Sequence, residues 1–204
     1  MNGLTARARQ QKLYRWRRAN NIQVFTDPQP VRDHIELLMS WGMTIGMIGQ
    51  AAGCSGQAIA YIARAAFPRV TTDLARRIRA VGHHPRPGQC FALAIGARRR
   101  IEALNTLGWQ SEYLAERLDV YGRVRLQHMI KQPRIRYTTW AAIRDLYDEL
   151  SGTPGPGHNT MVRARNRGLA PPLAWYGRDI DHPDTRPRRT ADKPPRRRGI
   201  ARSE

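Results

Sequence analysis

The sequence predicts an all-α protein built from two tandem copies of one three-helix unit, joined by a short linker and flanked by basic, flexible terminal segments. Three observations predict it. Apolar residues recur at the three-to-four spacing of a helix face over 31–81 and again over about 97–150. Small or positive-φ-tolerant residues interrupt both stretches at matching places. The two stretches also superpose. Ile35 matches Ile101, Leu38 matches Leu104, Gly42 matches Gly108 and Ile48 matches Leu114, at one offset (101 − 35 = 108 − 42 = 66). Beyond the corner the offset grows by one, so that Ile59 meets Leu126 and Ile62 meets Met129. "PRVTTDLARRI" then resembles "PRIRYTTWAAI", with Pro68 against Pro133 and Val70 against Ile135.

Residues 1–30 form a basic arm. Arg7, Arg9, Lys12, Arg15, Arg17 and Arg18 alternate with Leu13, Tyr14 and Trp16, part of the arm is expected to be helical, and "TDPQP" breaks any helix at its end. The first unit occupies 31–81. Ile35, Leu38 and Met39 share one helical face, Gly42 fits a helix C-terminus, and Thr44 is placed to cap a second short helix that buries Ile45, Ile48 and Ala52. Gly53 turns the chain, Cys54 is small and apolar, and Ser55 caps a third helix. That helix buries Ile59 and Ile62 and exposes Ser55, Gln57, Tyr61 and Arg64. Residues 82–96 are a linker by their Gly and Pro content, with "CFALAI" a short extended piece.

The second unit, 97–150, runs the same way. Ile101, Leu104 and Leu107 precede Gly108; Leu114, Ala115 and Leu118 face inward. Asp119 stands where Gly53 stood and Val120 where Cys54 stood. Asp tolerates positive φ better than most residues. The third helix offers Tyr121, Arg123, Arg125, Gln127, His128 and Lys131 outward. "SGTPGPG" ends the unit, and "PPLAW" in segment 151–183 is expected to dock on it through its apolar residues. The end, 184–204, is low-complexity, basic and Pro-rich and is expected to be disordered.

Helix, tight turn, then a helix with a polar outer face is the helix-turn-helix pattern. Lys and Arg number 35 against 16 acidic residues, a formal net charge of +19, with 41% hydrophobic residues. That excess points to double-stranded DNA as partner. No run has transmembrane length and the N-terminus lacks an apolar signal region, so no membrane association is expected and a reducing cytoplasm is the expected compartment. Two cysteines make no disulfide framework. No C-x-x-C or H-x-x-x-H spacing occurs, and His83 and His84 read as solvated residues or a phosphate contact. "GTPGPG" lacks the Lys-Ser or Lys-Thr of a phosphate-binding loop, and no Ser, His and carboxylate grouping suggests nucleophilic catalysis. No enzyme activity, metal, cofactor or small-molecule ligand is therefore expected.

The second helix of each pair would enter the major groove with its N-terminal residues at base edges, where Gln pairs with adenine and Arg with guanine. The expected base contacts are Ser55, Gln57 and Tyr61 in the first unit and Tyr121, Arg123, Arg125 and His128 in the second. Phosphate contacts are expected from Arg64, Arg69, Lys131, Arg134 and Arg136 beyond the helix ends, and from Arg15 and Arg18 in the arm. The two outer faces differ, so a monomer would read an asymmetric site. Reading helices in successive major grooves lie about 34 Å apart, a span the linker reaches at roughly 3.3 Å per residue.

"ARRRIEALNTLGW", "AIRDLYDELSGTPGP" and "ARNRGLAPPLAWYGRDIDHP" together resemble the helix-turn-helix proteins of actinobacteria and their phages, most closely in layout the immunity repressors of mycobacteriophages. The resemblance covers about 31–183. It implies a DNA-binding transcriptional repressor that acts as a monomer on an operator and related asymmetric sites, with lysogeny and superinfection immunity as the outcome. Its signatures are shared by other members of the group. The second corner departs from the usual small residue at the turn, carrying Asp119 and then Tyr121. A recombination accessory or directionality factor and a nucleoid-type structural binder are the alternatives.

Overall fold

The computed structural model describes residues 5–20 and 23–188, and these residues are mostly helical. In chain order the elements are α1 (Ala6–Ala19), β1 (Phe25–Thr26), α2 (Gln29–Ser40), α3 (Ile45–Ala52), α4 (Gly56–Ala63), β2 (Val70–Thr71) and α5 (Thr72–Arg79). There follow β3 (Phe91–Leu93), α6 (Ala94–Leu107), α7 (Ser111–Arg117), α8 (Gly122–Lys131), β4 (Arg134–Arg136), α9 (Tyr137–Leu150), α10 (His158–Asn166) and α11 (Pro172–Trp175).

The order β1-α2-α3-α4-β2-α5 recurs as β3-α6-α7-α8-β4-α9. Each copy carries a two-stranded antiparallel ribbon, β1 with β2 and β3 with β4. Phe25 pairs with Thr71 in the first and Phe91 with Arg136 in the second. Equivalent amides close both ribbons: the Thr72 N–H donates to the Val24 carbonyl at 2.9 Å and the Tyr137 N–H to the Cys90 carbonyl at 3.0 Å. The ribbons are an addition to the expected all-α chain. Val70, Thr71 and Ile135 are β-branched, follow a proline and alternate in burial, which suits a short strand.

Helix starts follow the capping chemistry. The Thr44 and Ser55 hydroxyls accept the N–H groups of Met47 and Ala58, both at 3.2 Å. "TDPQP" interrupts the helical chain over 26–28 and also starts the next helix. Pro30 lies in the first turn of α2, where its missing N–H leaves no intrahelical bond unmade, and Asp27 Oδ1 accepts the Gln29 N–H at 2.9 Å. Part of the arm is helical, as expected. Thr5 accepts the Ala8 N–H at 3.3 Å and opens α1, whose Ala, Arg, Gln, Lys and Leu residues are good helix formers.

The described residues form two compact units: one runs up to Ile95 and includes Met129–Ala141, the other comprises Gly96–His128 and the residues from Ala142 onward. The boundary therefore cuts α6, α8 and α9, where the sequence placed it in a linker over 82–96. Those linker residues are partly structured, because β3 and the first turn of α6 lie inside them.

The core of the first unit joins Val31, Ile35 and Leu38 of α2 with Ile48 and Ala52 of α3, Ile59 and Ile62 of α4, and Ala75 and Ile78 of α5. Leu93 of β3 completes it. Each of the large side chains contributes roughly 1.5–3 kcal/mol by leaving water. His83 is not simply solvated: its ring meets Trp41 edge-on at 6.0 Å.

In the second unit, segment 151–183 packs through part of its apolar side chains, while Leu173 of "PPLAW" stays exposed. Trp175 and Ile180 form a buried cluster with Ala103 of α6, joined by Tyr147 of α9 and Ala170. A buried pair, Arg100 with Asp181, holds the segment through two hydrogen bonds of 2.7 Å. Gly96 makes room for it, since a Cβ there would overlap the Asp181 carboxylate. Arg99 lies 4.9 Å over the Trp175 ring and donates to the carbonyls of Ile180, His182, Pro183 and Thr185 at 2.7–3.0 Å. The Arg188 N–H donates to the Ala174 carbonyl at 2.8 Å, so 184–188 are part of the packed segment; the remainder of the expected disordered tail lies outside the described residues.

Candidate nucleic-acid interface

Two short-helix corners position the expected contact residues. In the first, α3 ends at Gly53 with φ 65°, a left-handed conformation that glycine adopts without steric penalty. The Cys54 N–H returns to the Gly49 carbonyl at 2.8 Å, and Gly53 N–H to the Gln50 carbonyl at 3.2 Å, closing a Schellman turn. Arg77 of α5 donates from Nη1 to the Ala52 and Gly53 carbonyls at 3.0 and 2.9 Å, which neutralises the free acceptors of the helix end. A Cβ at Gly49 would stand 2.9 Å from both the Cys54 oxygen and the Gly56 nitrogen, so α3 and α4 meet there without room for a side chain. Cys54 packs against the core, and burial pushes its thiol above the usual range, opposed in part by Arg77.

The second corner closes in the same way. Asp119 takes φ 52°, the Val120 N–H donates to the Ala115 carbonyl at 2.8 Å, and Asp119 N–H to the Glu116 carbonyl at 3.0 Å. Ala115 replaces Gly49 and is fully buried. Gln110 stands where Thr44 caps α3 but forms no side-chain cap. Instead Trp109 stacks on Tyr113 at 5.2 Å and donates from Nε1 to the Thr153 carbonyl at 3.1 Å. Arg117 pairs with Glu149 at 2.8 Å.

On α4, Gln57, Tyr61 and Arg64 are exposed at i, i+4 and i+7 and so share a face. Ser55 is exposed as well, though its hydroxyl already accepts the Ala58 amide. Tyr61 meets Phe67 edge-on at 5.5 Å, which fixes the direction of its ring. Arg64 is the C-cap of α4, and Arg69 is exposed just before β2.

At the start of α8 the structure brings Tyr121, Arg123, Arg125 and His128 onto one exposed groove, with Val124 and Glu112. Val124 and Glu112 were not singled out from the sequence. Arg123 Nε lies 3.2 Å from Glu112 Oε1, an exposed pair that steadies the guanidinium. Gln127, expected to face outward, is half-buried and donates to the Ser111 hydroxyl at 3.3 Å, because it lies on the α7 side of the helix.

One expected phosphate contact is placed differently from the sequence reading: Lys131 is the last residue of α8 rather than past its end, whereas Arg134 and Arg136 do lie past it, exposed on β4. Arg134 donates to the Gly42 carbonyl at 2.9 Å, closing the turn after α2. All three belong to the first unit, whereas Tyr121, Arg123, Arg125 and His128 belong to the second. Arg15 and Arg18 are exposed on α1, a helix with no buried residue. Among the described residues no helix is long and apolar enough to cross a membrane.

Comparison of the chain with known protein families, characterised proteins and solved structures finds no match.

Proposed function

We propose that this protein is a sequence-specific double-stranded DNA-binding transcriptional repressor, an immunity repressor of the mycobacteriophage type. One observation carries the proposal. The pairs α3–α4 and α7–α8 share one backbone closure at a positive-φ corner, and both second helices present polar or cationic side chains, in a chain of net charge +19. A helix pair with a tight corner is the helix-turn-helix architecture, and its second helix is the one that enters the major groove. On this reading α4 reads bases through Gln57 and Tyr61, with Ser55 at its start. The α8 helix reads them through Arg123, Arg125 and His128, with Tyr121 at its start. Arg64, Arg69, Lys131, Arg134 and Arg136, together with Arg15 and Arg18 of α1, bind phosphates and supply affinity without sequence information. Because the two reading faces differ, a monomer suffices for an asymmetric site. Occupancy of such sites at promoters blocks transcription and maintains lysogeny.

Selection of bound duplexes from a random pool tests the class. The expected product is one asymmetric sequence that is footprinted at promoters. Enrichment at attachment sites would reassign the protein to recombination, and binding with no preferred sequence would overturn the repressor. On the selected duplex, Arg123→Ala is expected to cost about 1–3 kcal/mol and to relax preference at one base position. Equal weakening on every sequence would make Arg123 a phosphate contact instead.

A further inference from the structure

We infer that Val124 reads the 5-methyl group of a thymine in the major groove, an inference that rests on the DNA-binding reading above. Val124 is 77% exposed on the first turn of α8, beside Tyr121 at 98%. Packing does not account for it: the side chains of α8 that serve the core are Leu126 and Ile130, and Val124 lies off their face. Nor does helix propensity, since a β-branched residue is a mediocre helix former. Its neighbours Arg123, Arg125 and His128 line the same groove and match the charge of a phosphate-bordered surface.

The repeat supplies the second argument. Ile59 and Leu126 are both fully buried and correspond in the two copies, so two residues earlier Val124 corresponds to Gln57. Gln57 is suited to adenine through its paired donor and acceptor. Valine has neither. The thymine methyl is the one apolar group that a base edge offers in the major groove, and it is contacted by small apolar side chains. Valine holds one χ1 rotamer in a helix, so its two methyls are presented in a fixed direction. The equivalent position in the two copies would then read an A·T pair from opposite strands, by hydrogen bonds through Gln57 and by apolar contact through Val124.

The test uses the full chain and the duplex recovered by selection, with dU replacing dT at one position at a time. The replacement removes the methyl and leaves base pairing unchanged. One dU position is expected to weaken wild-type binding about fourfold, the effect of one buried methyl. Val124→Ser, an exposed substitution that removes both methyls, should bind the dT and dU duplexes equally at that position. If no dU position matters, or if V124S keeps the discrimination, the inference is overturned while sequence-specific binding stands. If selection recovers no preferred duplex, both readings fall.

Discussion

Gly49 is the residue on which the first corner closes. Its Cα faces the Cys54–Gly56 backbone, and an added Cβ would approach to 2.9 Å of main-chain atoms that cannot rotate away. Gly49→Ala is therefore expected to lower stability by about 1–3 kcal/mol, read as a drop in urea midpoint at unchanged m-value. An unchanged midpoint would mean that α3 and α4 cross less closely than described. Cys54 illustrates a different control. Burial raises its thiol pKa, so less thiolate forms near neutral pH, whereas Cys90 is exposed. Alkylation of the folded protein is expected to label Cys90 first, with Cys54 reacting at a comparable rate only after unfolding. Faster labelling of Cys54 would instead show a reactive thiol at the corner. Ala65 takes φ 57° after α4, a left-handed conformation that disfavours a Cβ. It completes the same Schellman closure through Ala66 N–H to the Tyr61 carbonyl at 3.0 Å.

At the scale of elements, α11 and the chain after it depend on α6. Arg99 and Arg100 are consecutive, yet they do different work: one gathers four carbonyls of the 180–185 stretch and the other forms the buried pair with Asp181. Asp181→Ala leaves the Arg100 charge at 8% side-chain exposure without its carboxylate and is expected to cost about 3–5 kcal/mol in equilibrium unfolding. A loss below about 1 kcal/mol would show that the segment is held by Trp175, Ile180 and Arg99 without help from the pair. The sequence exposed the apolar half of this docking through "PPLAW", because hydrophobic residues in a short Pro-bounded piece need a surface. It did not reveal the polar half, since "ARRRI" reads as three equivalent surface cations until the fold buries one of them. The helices α4 and α8 were legible in phase and starting point. The half-buried Gln127 was not, because one residue of rotation decides between solvent and the Ser111 hydroxyl.

For the whole molecule, charge is the property that would govern the proposed DNA association. If the seven cations assigned to phosphates all engage, the log–log dependence of affinity on salt is expected to have a slope of about −6, at roughly −0.9 per phosphate. Replacing both Arg15 and Arg18 by Ala should make that slope shallower by about 2. A slope unchanged by the pair would remove α1 from the interface. The charge excess, the helical phase of Ile35, Leu38, Ile101 and Leu104, the positive-φ corners at Gly53 and Asp119, and the duplication itself were determined by the sequence alone. Each is set within a turn or two of chain, by capping, periodicity or backbone sterics, or is a sum over residues. The tertiary structure decided the rest: the ribbons that pair Phe25 with Thr71 and Phe91 with Arg136, the membership of Met129–Ala141 in the first unit, and the burial of Arg100 against Asp181. Those features join residues distant in sequence, and their energy comes from partners that no local pattern encodes.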